Sequence, residues 1–308
     1  MEQTMRSDIT IENGKAYHIG VAPHEIAPRI FQVGDPARAF KVADRFDRVD
    51  FECRNREYVT LTGTLAGKPV SVMGTGIGHD NVEIALLEAY TLLAFDLSTA
   101  TRKTRVPEIT VIRIGTSGGA QPDVEPGTMG ITSYAIGLDT TGIYWDVPVP
   151  DQTAGKLEIV AKRLLDDATV PGSRFAGWVR PYASRATPEM VRLLEHSARE
   201  AAPRFPLVTG VTVAAPGFYG ASGRRMEGLS LSVPGIKEVC AGIEADGHRV
   251  VNFEMESSLI FHLAQGLGWR AGTVCPIISN PKRQGKVMDY RPCVEAAIDI
   301  AVRAMELV

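Results

Sequence analysis

The sequence predicts an α/β protein with a largely parallel sheet. Short runs rich in β-branched residues alternate with longer segments in which apolar residues have helical spacing. Strands separated by helices require crossover connections, which favour parallel pairing. No linker of the kind that separates two domains interrupts the 308 residues. We therefore expect a single domain over 1–308, with 1–15 as a flexible N-terminal extension.

The predicted elements follow one another in a regular order along the chain. The strands are expected at 29–33, 58–63, 69–74, 108–115, 128–135, 207–215, 249–254 and 271–279. The helices are expected at 81–97, 155–168, 188–202, 256–267 and 291–308. Polar or glycine-rich loops are expected at 98–108, 216–235 and 280–292. Loops that follow strands are where α/β sheets bind ligands, so the glycine turns after the strands are the first places to examine.

Composition excludes several classes of protein. With 44% apolar and 22% charged residues, the chain is typical of globular proteins, and a formal charge of −3 predicts neither a nucleic-acid nor a membrane partner. Its four cysteines form no CxxC pair, which argues against a zinc knuckle or a redox site. The N-terminus lacks the apolar core of a signal peptide, and no apolar run approaches the roughly 18 residues of a membrane span. We expect a cytoplasmic protein with reduced thiols.

The first glycine turn, "VGDPAR", follows the strand at 29–33. A turn of this kind before a helix exposes backbone N–H groups, and the helix dipole adds positive potential, so Gly34 would face an anion. Arg38, one turn into the helix, would close over that anion. The alternative is a simple strand-to-helix turn with a solvated arginine.

A second turn, "MGTGIGHDN" (73–81), is a weak signal by itself because glycine turns after strands are common. The third, "VIRIGTSGG" (111–119), places Arg113 inside an apolar strand and Thr116 at its end. A charge in a central strand is costly unless an anion or a carboxylate meets it. Arg113 therefore predicts either an anion site or a structural Arg–Glu pair.

Two carboxylates in the segment "NFEMES" (252–257) flank Met255. If this segment is extended, Glu254 and Glu256 point to the same side and can accept hydrogen bonds from paired hydroxyls, as on a sugar. Alternatively, Glu256 begins the following helix, where the dipole favours an acid; this explanation suits Glu256 better than Glu254. No Ser-His-Asp arrangement and no metal-ligand spacing can be identified.

In order, these segments resemble the nucleoside phosphorylase-I family, and within it the uridine phosphorylases. The matching pieces are "HIGV" (18–21), "VGDPAR" (33–38), "NREY" (55–58), "GTGIG" (74–78), "RIGTSGG" (113–119), "GFYGASGRR" (217–225) and "NFEMES" (252–257). The combination of "RIGTSGG" with "EMES" is specific, whereas each piece alone is not. The resemblance implies the nucleoside-phosphorylase fold, a central mixed and partly barrel-like β-sheet flanked by α-helices.

The resemblance also implies a phosphate subsite. Its members would be Gly34, Arg38, Arg56, Arg113 and Thr116. Arg56 would reach the phosphate from a neighbouring subunit. Bidentate guanidinium groups can orient a phosphate dianion beneath the sugar carbon that it attacks.

A ribose subsite would adjoin the phosphate. Its members would be His18, Thr116, Glu254, Met255 and Glu256. His18 would cross the subunit interface to the ribose 5′-hydroxyl, whereas Met255 and Glu256 would hold the sugar from within the chain, with Glu254 beside them.

The base subsite departs from the uridine phosphorylase pattern. Phe218 would stack near the base and Arg224 would bind a base oxygen, so that Arg113, Glu256 and Arg224 would be the catalytic residues. Ser222 stands where these enzymes usually carry glutamine. Proline replaces a second base-binding arginine after Asn280, although Arg283 remains nearby. Against a purine base, Asn280 occupies the place of a protonatable aspartate.

The resemblance implies no required cofactor or metal, since phosphate is a substrate. Some members hold a monovalent cation between subunits, and Glu57, Ile77 and Asn81 fall at its positions, with Asn81 replacing a serine. That ion would be a structural potassium. Residues donated between subunits imply a homo-oligomer with active sites shared across a dimer interface, and we expect a homodimer rather than a hexamer because of extra length at the N-terminus, 98–107 and 137–185.

The implied reaction is uridine plus phosphate giving uracil and ribose 1-phosphate, as in nucleoside salvage. The C1′–N bond would break through an oxocarbenium-like sugar, and a cation at the base would stabilise the departing anion. One alternative is a purine nucleoside or methylthioadenosine phosphorylase on the same fold. Another is a nucleoside-binding relative without catalytic turnover.

Overall fold

A large mixed sheet forms the centre of the structure, a computed structural model that describes residues 7–280 and 289–308. The strands of this sheet and of two separate two-stranded ribbons are β1 (Ile11–Glu12), β2 (Lys15–Ala16), β3 (Arg29–Val33), β4 (Arg48–Asn55), β5 (Tyr58–Leu65), β6 (Lys68–Gly74), β7 (Phe95–Asp96), β8 (Thr101–Arg102), β9 (Thr110–Ile114), β10 (Gly118–Gly119), β11 (Met129–Gly137), β12 (Tyr182–Arg185), β13 (Leu207–Ala214), β14 (Glu244–Ala245), β15 (His248–Glu254) and β16 (Arg270–Pro276). The helices are α1 (Pro36–Ala43), α2 (His79–Ala94), α3 (Gln152–Ala168), α4 (Pro188–Ala201), α5 (Ile236–Ala241), α6 (Ser257–Leu267) and α7 (Arg291–Glu306).

The sheet runs in the order β10-β15-β13-β11-β16-β9-β3-β6-β5-β4. Parallel pairs join β9 to β3 and β3 to β6 at its centre, as the alternation of strands and helices predicts. Antiparallel pairs join β11 to β16 and link β4, β5 and β6 through short turns. The largely parallel sheet expected from strand–helix alternation is therefore a mixed one, in agreement with the fold implied by the family resemblance.

Helices cover both faces of the sheet. In β9, Ile112 and Ile114 pack into one buried cluster with α1, α4 and α7, whereas Val111 packs into a second with α2 and α6. This division follows from the two-residue period of a strand, in which successive side chains point to opposite faces. The strand is apolar on both faces because both are covered, and that makes a charge at Arg113 the exception.

Most predicted elements occur in the structure, with ends that move by a few residues. β4, β12 and α5 were not predicted; β4 is a partly exposed strand whose polar residues lack an apolar alternation. The flexible extension expected over 1–15 is wrong for residues 11–15, because β1 and β2 pair there as an antiparallel ribbon. Most of the loop expected at 280–292, residues 281–288, lies outside the described residues, so that expectation stays a prediction there.

All four cysteines are free thiols. Cys240 and Cys275 are fully buried, and burial raises the pKa of each to about 12, so neither is a ready nucleophile. Within the two described ranges, no helix combines the length and the apolarity needed to cross a membrane.

Candidate active site

A cavity of about 870 Å³ opens where β3, β9 and β15 end. The three motifs singled out in the sequence lie beside it because each directly follows one of these strands. The predicted residues that line it are Gly34, Arg38, Ile77, Arg113, Thr116, Phe218, Ser222, Arg224, Glu254, Met255 and Glu256. The cavity therefore combines residues separated by more than 200 positions in the sequence.

Arg113 lies at the centre of a buried hydrogen-bond network. Its Nε donates to Glu254 Oε2 at 2.8 Å, one terminal nitrogen donates to Gln32 Oε1 at 2.8 Å, and the other bonds Glu256 Oε2. The side chain is 4% exposed, and it also lines the cavity. The two readings of this arginine are therefore compatible: it forms a structural Arg–Glu pair and still has two N–H groups to offer a ligand.

The two glutamates have different structural roles. Glu254 accepts hydrogen bonds from the backbone N–H groups of Glu256 (3.0 Å) and Ser257 (3.0 Å), so its carboxylate caps the start of α6. Glu256 occupies the residue before α6 but makes no side-chain cap; its Oε1 accepts from Gly78 N–H at 2.8 Å. The prediction that capping suits Glu256 better than Glu254 is wrong, because the strand ends at Glu254 and turns its carboxylate onto the helix.

Two carboxylates share one guanidinium in this dry environment. Burial, opposed by the charge of Arg113 and reinforced by that of Glu254, raises the pKa of Glu256 to about 7. The two carboxylates outweigh the effect of burial on Arg113, whose pKa is raised, so the arginine stays charged. Glu256 can therefore exchange a proton near neutral pH.

The basic end of the cavity consists of Gly34, Arg38, Arg113 and Thr116. One terminal nitrogen of Arg38 donates to Ile114 O at 2.9 Å, which holds the guanidinium over the end of β9. Burial, and next the charge of Arg113, lower the pKa of Arg38. A buried cation, Arg113, and a half-buried one, Arg38, lie near each other here, and an anion between them would stabilise both, so this end is suited to bind one.

Gly115 can only be glycine in this packing. A Cβ atom there would lie 2.6 Å from Cys275 Sγ and 2.9 Å from a terminal nitrogen of Arg113. The glycine after the strand thus makes room for the buried arginine.

A buried polar cluster not anticipated from the sequence supports the turn that binds Glu256. His79 Nε2 lies 3.1 Å from Asp139 Oδ2 and 3.2 Å from Ser258 Oγ, and Tyr182 donates to the same aspartate oxygen at 2.8 Å. Burial lowers the pKa of His79, so the ring is neutral. The cluster anchors the first residue of α2 directly after Gly78, whose φ of +109° requires glycine.

The aromatic end of the cavity consists of Phe218, Arg224, Lys237 and Phe253. The Arg224 guanidinium lies 4.1 Å from the centre of the Phe218 ring. Lys237 and Phe253 were not predicted; Lys237 is on the short helix α5, and no local sequence pattern sets it apart. Ser222 lines the same cavity and donates to Gly217 O at 3.1 Å within the loop.

Two base-site expectations concern the segment after β16. Asn280 is not among the described residues that line the cavity; its amide donates to Val124 O at 2.7 Å. Arg283 and the proline before it lie outside the described residues. The base contact expected from this segment therefore stays a prediction.

His18 and Arg56 lie together on a surface that is separate from the cavity lining. The Arg56 guanidinium is 4.7 Å from the centre of the Tyr17 ring, which contacts the His18 ring edge-on. His18 Nδ1 is 2.6 Å from the buried Glu88 carboxylate, which also accepts the His18 backbone N–H at 3.0 Å. Both predicted cross-subunit residues are thus held in one patch, and neither is among the described residues that line the chain's own cavity.

The predicted cation residues lie near this patch. Tyr58, next to Glu57, donates to Asn81 Oδ1 at 3.4 Å, and Ile77 is 68% exposed at the edge of the cavity. The arrangement brings the three positions to one region, and a cation there stays a prediction.

Comparison with known proteins agrees with this geometry. The family model described as the phosphorylase superfamily matches residues 28–306. A uridine phosphorylase of Treponema pallidum is 31% identical over 299 residues, covering 94% of this chain and 93% of that protein. One from Thermococcus kodakarensis is 29% identical over 269 residues, covering 87% of this chain and 79% of that protein.

A solved structure extends the likeness to the whole fold. The Trypanosoma brucei nucleoside phosphorylase, described as showing uridine phosphorylase activity, superposes with a TM-score of 0.85 at 28% identity, covering 98% of this chain and 100% of that one. The resemblance drawn from the motifs is thereby confirmed, and with a family match from the first central strand to the last helix, this chain belongs to the phosphorylase superfamily.

Proposed function

We propose that this protein is an enzyme that catalyses the reversible phosphorolysis of uridine to uracil and ribose 1-phosphate. The observation that carries the proposal is a cavity whose lining combines the arginines Arg38 and Arg113, the carboxylates Glu254 and Glu256, and an aromatic group with its own cations at Phe218. Phosphate, ribose and pyrimidine present the matching chemistry: an anion, a set of hydroxyls and a flat ring with carbonyl oxygens. The uridine phosphorylases among its relatives support the same substrate.

Phosphate binds at the basic end. Arg38 and the two remaining N–H groups of Arg113 hold it, with Thr116 as a hydroxyl donor. Because Arg113 is fixed by two glutamates and Gln32, it does not reorganise when phosphate arrives, and such preorganised charge is the usual source of large electrostatic catalysis.

Ribose binds against Met255 and Glu256, which both line the cavity. Glu256 is itself oriented by Gly78 N–H and by Arg113, so its carboxylate can accept hydrogen bonds from sugar hydroxyls without rearranging. As the C1′–N bond stretches, positive charge develops on the sugar and strengthens its attraction to the bound phosphate and to the carboxylate. No cofactor or metal takes part in this scheme.

The active unit is a cytoplasmic homodimer in this proposal. The His18–Arg56 patch supports it, because two residues with assigned ligand roles lie together away from their own cavity, where they would serve a partner subunit. The four free thiols support the cytoplasm. A structural potassium near Glu57, Ile77 and Asn81 would then lie beside the same interface.

The test is phosphate-dependent release of uracil from uridine, measured beside release of hypoxanthine from inosine and of adenine from methylthioadenosine. We expect turnover of uridine only when phosphate is present. Cleavage of a purine nucleoside but not of uridine would overturn the proposal that uridine is the substrate. Tight uridine binding without phosphate-dependent cleavage would instead identify a relative that has lost turnover.

A further inference from the structure

Lys237 is a half-buried cation at the aromatic end of the cavity. Among the described residues its ammonium makes no hydrogen bond and no ion pair. It lies 5.9 Å from the centre of the Phe253 ring and 3.7 Å from where a Cβ atom on Gly118 would stand. Withdrawing an ammonium even partly from water is costly, and the exposed carboxylate of Glu238 is the opposite charge that acts on it, so the position of Lys237 at the cavity calls for an explanation beyond packing.

The surroundings of Lys237 place it at the base rather than at the phosphate. Burial, and next the charge of Arg224, lower the pKa of this ammonium. Arg224 is the cation stacked on Phe218 at the aromatic end. The charges at the two ends also differ: Arg113 is paired with two buried glutamates, whereas Lys237 lies near the cation Arg224 and has only the exposed Glu238 carboxylate to offset it.

We infer that Lys237 binds a carbonyl oxygen of the pyrimidine and stabilises the base as an anion while the glycosidic bond breaks. This inference rests on the proposed function and assigns a residue that the motif resemblance does not include. It also accounts for Ser222, which is too short to make the two contacts of the usual glutamine. In place of that glutamine, Lys237 contacts a carbonyl oxygen of the base from α5, a different segment from the loop that carries Ser222.

In this step the bond that breaks leaves one negative charge on the base, and a proton later neutralises it. A phosphate oxygen bonds to C1′ while the electron pair of the C1′–N1 bond leaves with uracil. The proton carried by hydrogen phosphate then neutralises the uracil anion by way of solvent. Lys237 stays protonated throughout and acts by charge, as an ammonium beside a developing anion does.

The experiment compares uridine with 5-fluorouridine in wild type, Lys237→Met and Lys237→Arg. Methionine keeps the length of the side chain and removes the charge, so we expect kcat/KM for uridine to fall about 100-fold, the size of a lost oxyanion donor. The fluorinated base is the stronger acid and needs less help as an anion. Its kcat/KM should therefore fall several-fold less, and arginine should restore most of the loss with both nucleosides.

A matched control is Lys162→Met, on the outer face of α3, where the lysine pairs with Asp166. Its kinetics should equal those of wild type, and thermal unfolding should show that all variants are folded. Equal losses with both nucleosides, or no loss in Lys237→Met, would overturn the role of Lys237 alone. Absence of phosphate-dependent uridine cleavage in wild type would overturn both this inference and the proposed function.

Discussion

Arg113 Nε donates to Glu254 Oε2 at 2.8 Å, and the carboxylate that receives this bond also caps the first turn of α6. A single ion pair thus joins the central strand β9 to the start of α6. Both side chains are almost fully buried, so the pair has no solvent to replace either partner. The basic end of the cavity and the fold therefore depend on the same two residues.

Removal of Arg113 should destabilise the fold as well as the activity. Arg113→Met leaves two buried carboxylates without a counter-charge, and we expect the free energy of unfolding to fall by about 3–5 kcal/mol. Urea denaturation at pH 8 measures it. The matched control is Arg48→Met, which breaks an exposed pair with Asp50 and should cost less than about 1 kcal/mol. Equal costs for the two variants would show that the buried network contributes no special stability.

Substitution of Arg38 should weaken the use of phosphate more than the binding of uridine. Its guanidinium lines the basic end and is attached to the fold through a bond to Ile114 O alone among the described residues, so Arg38→Ala removes a ligand contact and leaves Arg113 in place. We expect kcat/KM for phosphate to fall about 10- to 100-fold, equivalent to hydrogen bonds to a charged group, with a smaller change in the uridine Kd. Lys41→Ala on the same helix, which removes a surface pair with Glu295, is the control and should keep wild-type kinetics. A larger effect on uridine binding than on phosphate would contradict the assignment.

Much of the site could be predicted because it follows strands. The strand at 29–33 has the predicted bounds. Arg38, which follows the glycine turn after this strand, and Arg113, near the end of β9, lie at one edge of the sheet. The order of strands along the sheet brings these turns together, and buried β-branched runs reveal those strands in the sequence.

Other features depend on distant contacts and leave no local pattern. Lys237 follows a long glycine-rich loop on a helix of six residues, so its place in the cavity could not be read from spacing. His79 and Asp139 meet across 60 positions. The predicted strand ends at Glu254, as observed, but the cap was assigned to Glu256 because the path of the chain between the strand and α6 decides which carboxylate meets the first N–H groups of the helix, and no local pattern sets that path.

The raised pKa of Glu256 predicts a pH dependence of stability. The folded protein keeps a proton until about pH 7, whereas the unfolded chain releases it near 4.5, the ordinary pKa of glutamate, so this group's contribution to the free energy of unfolding falls as pH rises through that window. The full change corresponds to about 3 kcal/mol. We therefore expect the stability of wild type relative to Glu256→Gln to decrease between pH 5 and pH 8, in urea denaturation without phosphate. Glu52→Gln, an exposed carboxylate beside Arg54, should give a difference that hardly changes with pH. A constant difference for Glu256→Gln as well would contradict the raised pKa.

The shared active site can be tested by mixing two inactive variants. Arg56→Ala removes a residue that each subunit would donate to its partner, and Glu256→Ala removes one that each subunit keeps. In a mixed dimer one site then has both residues intact and the other has neither. Random assortment makes about half of the dimers mixed, so specific activity should recover to about one quarter of wild type. Co-expression with two affinity tags isolates the mixed dimer, whose activity should be about half that of wild type. If Arg56 serves its own subunit, both sites of the mixed dimer lack one residue and activity stays at the level of the separate variants, which would refute donation across the interface.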